Sequence, residues 1–140
     1  MDVEDAVRLR RVVHRLARAF NAAATAEGVT PTEASVLGLL VTHELPSLGA
    51  LAQLEHINPT MLSRVVGRLE QRGLVERTAA PTDLRSVLVR ITDAGRDLHR
   101  RVLVRRADTV AAAAATLTPS EYAALLAGLA PLEKLVKSVR

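Results

Sequence analysis

At 140 residues, the chain is one domain's worth of sequence and is long enough to bury a substantial hydrophobic core. It contains no cysteine, which excludes disulfides, thiolate chemistry, cysteine-ligated zinc and regulation by cysteine oxidation. The 19 lysine and arginine residues outnumber 15 acidic residues and give a net charge of +4, which favours a polyanionic partner without identifying it.

The sequence shows no sign of a membrane-bound or secreted protein. No apolar run is long enough to cross a bilayer, and no N-terminal stretch resembles a secretory signal, so we expect a cytoplasmic protein with no membrane partner. Phe20 and Tyr122 are the only aromatic residues. This predicts a core of leucine, valine and alanine, and it excludes the stacking platforms that read single-stranded nucleic acid.

Two helices are predicted before residue 43. The first covers residues 2–26, where apolar residues recur every three or four positions and arginines occupy the other face. The second begins after Thr30, because a threonine cap, Pro31 at the first helical position and Glu33 three residues after the cap form a capping-box pattern. Residues 43–46 end this second helix.

A helix-turn-helix follows. Ser47 can cap a short helix over residues 48–54, and only His56 and Ile57 separate that helix from Asn58, which can cap the next one. This spacing is typical of a helix-turn-helix corner.

The helix from Asn58 to Gly73 is the one around which the fold is organised. Pro59 suits its first position, and Gly73 can take the left-handed conformation that ends it. Its predicted apolar stripe is Met61, Leu62, Val65, Val66 and Leu69. Its other face carries donors suited to a phosphate-lined groove, namely Thr60, Ser63, Arg64, Gln71 and Arg72.

A β-hairpin is predicted next. Residues 74–78 and 86–91 alternate and are rich in β-branched side chains, which is typical of strands. Residues 79–85 form the predicted tip, with Arg85 exposed. A helix-turn-helix followed by a basic hairpin is a winged helix.

Two long helices complete the chain. The first runs from Thr92 to about Thr116, and its expected buried side is Leu98, Val102, Ala107, Val110, Ala111 and Ala114. Its arginines between Arg96 and Arg106 are expected to be solvated or to face a dimer partner. Thr118 opens the last helix with a second capping-box pattern, and apolar residues keep helical spacing to the chain end.

The predicted fold class is mainly α-helical, a winged helix-turn-helix with a small β-hairpin wing and long terminal helices. Residues 31–92 form the DNA-binding region, and residues 1–30 and 93–140 form a helical dimerisation region of the same intertwined domain. The wide apolar faces of the terminal helices predict a symmetric dimer. In such a dimer, the two copies of the helix from Asn58 to Gly73 would lie about one turn of the DNA double helix apart, roughly 34 Å, and would match a palindromic duplex.

The order of these elements resembles the MarR family of bacterial winged-helix transcriptional regulators. The resemblance covers nearly the whole chain and is densest over residues 30–95. The motifs that carry it are Thr32-Glu33 with Val36-Leu37, Leu48 to Leu54, Ser63-Arg64-Val65-Val66, Leu69 to Arg77, Asp83-Leu84-Arg85-Ser86 and Ile91-Thr92-Asp93-Ala94-Gly95.

The resemblance implies specific roles for individual residues. Thr60, Ser63 and Arg64 would lie in the major groove, Arg85 would enter the adjacent minor groove, and Asp83 would orient Arg85. The complete set of expected DNA-binding positions is Asn58, Pro59, Thr60, Ser63, Arg64, Arg68, Asp83, Arg85 and Ser86. A small-molecule effector between the dimer base and the winged helix is also implied, although no residue signature marks it.

The chain departs from the family's pattern at two positions. Many relatives have glycine at the helix-turn-helix corner, where this chain has His56, a residue type that tolerates the left-handed region. Pro59 can change which early side chains of the reading helix reach a base edge. Arg68 and Arg72 are predicted either to contact phosphates or to pair with Glu70 and Glu76.

The favoured function is therefore a sequence-specific regulator of transcription that binds double-stranded DNA as a homodimer, with repression under ligand control. Two alternatives stay open: a helical dimerisation or protein-interaction module, and an architectural DNA binder without ligand control. The four histidines lack metal-binding spacing, and no nucleophile and base form a catalytic arrangement. We expect no enzyme activity, metal or cofactor.

Overall fold

The computed structural model describes residues 1–83 and 85–139. Leu84, which belongs to the predicted hairpin tip, and Arg140, the last residue of the predicted dimerisation region, lie outside the described residues. The chain divides into two compact units, Met1–Arg106 and Ala107–Arg140. The helices are α1 (Val3–Ala26), α2 (Pro31–Thr42), α3 (Leu48–Glu55), α4 (Pro59–Gln71), α5 (Asp93–Ala114) and α6 (Pro119–Ser138), and the strands are β1 (Val75–Ala79) and β2 (Val87–Ile91).

Both predicted capping boxes are present. At the start of α2, the Glu33 N–H donates to Thr30 Oγ1 at 3.2 Å, and the Thr30 N–H donates to Glu33 Oε2 at 2.9 Å. Thr118 and Glu121 make the same reciprocal pair at the start of α6. These bonds satisfy N–H groups that have no partner inside the helix, and they fix where α2 and α6 begin.

The corner between α3 and α4 has the predicted length and geometry. His56 adopts the left-handed conformation, with φ 57° and ψ 38°, and its N–H group donates to the carbonyls that end α3. Asn58 Oδ1 accepts the Met61 N–H at 2.8 Å and starts α4. The helix ends before Gly73, which is left-handed with φ 70°. Backbone conformation at these positions therefore sets the direction of α4.

The hairpin is antiparallel and pairs Val75 with Ile91 and Ala79 with Val87. Both strands begin one residue later than predicted. Leu74 takes part in the turn that follows α4, because its N–H donates to the Leu69 carbonyl. The Val89 N–H donates to the Pro46 carbonyl, and this bond attaches the hairpin to the segment before α3.

The core of the first unit lies among α2, α3, α4, the hairpin and the first half of α5. It is aliphatic, as predicted, and its largest fully buried side chains are Leu37, Leu51, Leu62, Leu69, Val36, Val65, Val66, Val75, Val89 and Val102. Gly95 is required where α5 begins, because a Cβ atom there would lie 2.1 Å from the Leu74 carbonyl oxygen.

Two predictions of apolar helix faces differ from the structure of the single chain. Met61 is 48% exposed, although its neighbours in the apolar stripe of α4 are buried. Ala107 and Ala111, expected on the buried side of α5, are exposed. No residue of α6 is buried in the single chain, and none was expected to be, because its apolar face was assigned to a dimer partner. Apolar spacing identifies residues that share a helix face, but it does not show what covers that face. Within the described residues, no helix combines the length and apolarity that crossing a membrane requires.

Candidate nucleic-acid interface

The exposed face of α4 carries the first group of predicted site residues. Thr60 and Arg64 are exposed, while Ser63, one turn after Pro59, is half-buried. A shallow hollow lies on one side of Thr60 and Arg64 and is lined by these two residues, Pro59 and Ser63. Hydroxyl and guanidinium donors thus meet at one open surface, where they can hydrogen-bond to an acceptor-rich ligand.

A second hollow lies along the same helix and has a different chemical character. It is lined by Asn58, Thr60, Met61, Arg64, Val65 and Arg68. Thr60 and Arg64 line both hollows, so they stand between the surface that contains Ser63 and the surface that contains the Met61 thioether.

Arg68 and Arg72 both pair with Glu33. The sequence had predicted phosphate contacts or pairing with Glu70 and Glu76 instead. Arg68 Nε donates to Glu33 Oε1 at 3.0 Å, and Arg72 Nη1 lies 3.9 Å from Glu33 Oε2. The predicted partners are engaged elsewhere. Glu70 pairs with Arg77 and Glu76 pairs with Arg90.

Glu33 is almost completely buried, at 4% exposure, and it stays ionised. Burial alone would raise the pKa of its carboxyl group, but the Thr30 N–H together with Arg68 and Arg72 holds that pKa below its ordinary value. The Arg68 side chain remains about half exposed. Its charge therefore still reaches the surface of α4, while its Nε is fixed by the carboxylate.

The second group of predicted site residues lies at the hairpin tip. Asp83 Oδ1 accepts the main-chain N–H of Arg85 at 3.0 Å, and Asp83 Oδ2 accepts the Ser86 hydroxyl at 3.0 Å. The Arg85 side chain is exposed. Asp83 thus organises the backbone that carries Arg85, and its observed contact is with the main chain of that residue.

Arg77, on β1, joins the hairpin to α4 and was not among the predicted site residues. Its Nη2 donates to the Ser63 carbonyl at 2.7 Å, and its Nε lies 3.4 Å from Glu70 Oε2. A displacement of the hairpin would therefore pull on the turn of α4 that contains Ser63. The strand alternation places Arg77 and Val75 on the same side of β1, which was the available signal for this inward orientation.

No group of three or more histidine or acidic side chains that could hold a metal ion occurs in residues 1–83 and 85–139. The chemistry offered by α4 and the hairpin tip is that of hydrogen-bond donors, guanidinium groups and one exposed thioether.

Comparison with known proteins identifies related sequences. The model of the MarR family matches residues 29–87. The HTH-type transcriptional regulator Mb0904 of Mycobacterium bovis is 32% identical over 113 residues, which are 81% of this chain and 79% of that protein. The HTH-type transcriptional repressor MdtR of Bacillus subtilis is 30% identical over 95 residues, which are 68% of this chain and 61% of MdtR.

Comparison with solved structures confirms the predicted fold class. A variant of MepR from Staphylococcus aureus, solved with a bound oligodeoxyribonucleotide, matches this chain with a TM-score of 0.72 at 18% identity. The match covers 96% of this chain and 97% of that one. The likeness spans nearly the whole chain, including the hairpin and both terminal helices.

Proposed function

Because the chain belongs to the MarR family of DNA-binding transcriptional regulators, we propose that it acts as a homodimeric, ligand-responsive repressor on a pseudo-palindromic operator. The observation that carries this proposal is the exposed face of α4. Its polar and cationic side chains stand on a helix that is anchored underneath by four buried aliphatic residues. A regulator of transcription acts on the chromosome, so we assign its action to the cytoplasm.

In this proposal α4 enters the major groove and the hairpin tip enters the adjacent minor groove. Thr60, Ser63 and Arg64 would face base edges, and Arg85 would be the minor-groove side chain. Asn58, Pro59, Arg68, Asp83 and Ser86 would position these groups or contact the backbone. Phosphate contacts would supply most of the affinity, and the few base contacts would supply sequence choice.

The homodimer is supported by apolar surface that the single chain leaves open. In the second unit, α6 exposes apolar side chains along its whole length, and in the first unit α1 exposes Val12, Val13 and Leu16. Exposed apolar patches of this kind mark interfaces between proteins. We assign residues 1–30 and 93–140 to the dimerisation region and residues 31–92 to the DNA-binding region.

Repression and ligand control are the finer parts of the proposal. MdtR is named as a repressor, and a dimer that occupies an operator next to a promoter would block access by polymerase. An effector that binds between the dimer base and the winged helix would change the distance between the two α4 helices and release the duplex.

The test is selection of bound duplexes from a random pool, followed by measurement of affinity at several salt concentrations. We expect an inverted repeat with half-sites about one helical turn apart and an affinity that falls steeply as salt rises. An architectural binder would bind without a preferred sequence. A protein-interaction module would not bind duplexes even at low salt.

Arg64→Ala is the sharpest single change on α4. If Arg64 reads a guanine, its loss should cost roughly 1 to 3 kcal/mol and relax discrimination at one base pair. Competition titrations against operators changed at one position would measure this. Arg8→Ala removes the same charge from an exposed position on α1 and serves as the control. An equal loss of affinity for every sequence would assign Arg64 to the phosphates instead.

Arg85→Ala tests the hairpin. It should weaken binding to most duplexes, because the minor-groove contact adds affinity without reading a specific base, and it should leave the oligomeric state unchanged. Fluorescence anisotropy and sedimentation would measure the two quantities. Unchanged affinity would remove the hairpin from the proposed interface.

A further inference from the structure

Met61 occupies an unusual place on α4. The helix buries Leu62, Val65, Val66 and Leu69 almost completely, whereas the Met61 side chain is 48% exposed. Met61 lies three residues before Arg64 and seven before Arg68, so all three side chains project from the same side of the helix. About half of this large apolar side chain is left in contact with water in the single chain.

The surroundings of Met61 indicate the kind of surface that would cover it. The hollow that it lines also contains the side chains of Asn58, Thr60, Arg64 and Arg68. Two guanidinium groups beside the thioether disfavour a contact with an apolar protein face, since their charges would lose water without gaining partners. The same groups suit a polyanion that presents a small apolar group among its polar atoms.

The major groove of duplex DNA presents such a group. Every base pair offers donors and acceptors along its groove edge, and thymine alone adds an apolar C5-methyl group. A methionine side chain is flexible and polarisable, and it packs readily against a small apolar surface. We propose that Met61 packs against the C5-methyl group of a thymine and is a specificity-determining residue of the operator contact.

This inference rests on the proposed function and deepens it. The two hollows beside Arg64 would then read different features of the groove. Thr60 supplies a hydroxyl group to both hollows. The hollow with Ser63 adds a second hydroxyl group for polar base edges, and the hollow with Met61 adds a thioether for a methyl group. The base that Met61 selects would differ from the one that Arg64 reads, because the two side chains stand on successive turns of α4.

Deoxyuridine tests the contact directly, because it lacks only the methyl group of thymidine. In one half-site of the selected operator, each thymidine would be replaced in turn by deoxyuridine. For the unmodified protein, one replacement should weaken binding about fourfold, the effect of losing one buried methyl group. In the Met61→Ala variant, the same replacement should not change the affinity. In the Met61→Leu variant, it should again weaken binding. Competition titration would measure each affinity.

The possible outcomes separate the inference from the function on which it rests. A methyl effect that disappears in Met61→Ala and returns in Met61→Leu supports the contact. A methyl effect of equal size in the unmodified protein and in Met61→Ala overturns it, as does the absence of any methyl effect on an operator that the protein binds. If the unmodified protein binds no duplex, the proposed function fails and the inference fails with it.

Discussion

At the scale of single residues, the buried carboxylate of Glu33 joins α2 to α4. Among the described residues, it is the one charged side chain that the fold buries. It caps α2 and also holds Arg68 and Arg72 near the end of α4. Removing its charge would leave the two arginines without their carboxylate and would loosen the attachment of α4 to α2.

Glu33→Gln is therefore expected to destabilise the fold at neutral pH. The free energy of unfolding should fall by about 1 to 2 kcal/mol, toward the low end for a charged hydrogen bond because Arg68 is half exposed and screened by water. Urea denaturation would measure the difference. Glu121→Gln is the matched control, since Glu121 has the same place in the second capping box but is exposed. An equal loss in both variants would contradict a special role for Glu33.

The pH dependence of this effect follows from the lowered pKa of Glu33. The folded protein stabilises the ionised form of Glu33 more than the unfolded chain does. The contribution of Glu33 to the free energy of unfolding is therefore fully present above the ordinary pKa of 4.5. That contribution is lost as the pH falls through the lower pKa of the folded state. The stability difference between the unmodified protein and Glu33→Gln should accordingly shrink below about pH 4.5. A difference that stays constant with pH would rule out the charge as its source.

Local residue patterns predicted the capping residues, because each capping bond joins positions only three apart. Thr30, Ser47, Asn58 and Thr118 all cap the helices that they were predicted to cap. The contact between Glu33 and Arg68 was missed because it spans 35 positions and depends on how α2 packs against α4. A local pattern carries no information about such a pair.

At the scale of elements, the start of α5 depends on close approach to the end of α4. A Cβ atom on Gly95 would lie 2.1 Å from the Leu74 carbonyl oxygen and 2.7 Å from Ile91 Cγ1. The carbonyl oxygen belongs to the backbone and cannot rotate away, so α5 would have to shift. The sequence motif that contains Gly95 is shared with the family. The steric need for glycine at this position depends on Leu74, which lies 21 residues earlier, so a local pattern could not predict it.

Gly95→Ala should consequently reduce the free energy of unfolding by about 1 to 3 kcal/mol, the range for overpacking in a well-packed interior. Thermal or urea unfolding would measure it. Gly49→Ala is a suitable control, because Gly49 lies in α3 with its nearest neighbour at 3.9 Å and alanine favours a helix. If Gly95→Ala is as stable as the unmodified protein, α5 does not pack this closely on Leu74.

The limits of the two strands depend on neighbouring segments. Alternation located both strands of the hairpin, but each begins one residue later than expected, because Leu74 hydrogen-bonds back to Leu69 in the turn after α4 and Ser86 hydrogen-bonds to Asp83. The inward orientation of Arg77 likewise depends on the pairing of the hairpin with α4. Cap residues stop a helix locally, whereas strand ends are set by a partner segment.

At the scale of the whole molecule, the periodicity of apolar residues identified the apolar helix faces but not the segments that pack against them. The face of α4 that holds Leu62 is covered by the core of the same chain, whereas the apolar residues of α6 are exposed. Leu126 and Leu129 lie three residues apart on this exposed face of α6. In the proposed homodimer, a second copy of the chain covers this face, and each copy contributes one α4 helix to the duplex contact.

Replacing both Leu126 and Leu129 with glutamate should convert the proposed dimer to a monomer at concentrations on the order of micromolar, because each copy would bring two negative charges into an apolar contact. Sedimentation velocity would show the mass falling from two chains to one. Operator affinity should fall as well, since the two half-sites would no longer be bound by one linked molecule. Lys134→Glu changes a charge on α6 without removing apolar surface and should remain dimeric. A monomeric unmodified protein would refute the dimer, and a dimeric double variant would place the interface elsewhere.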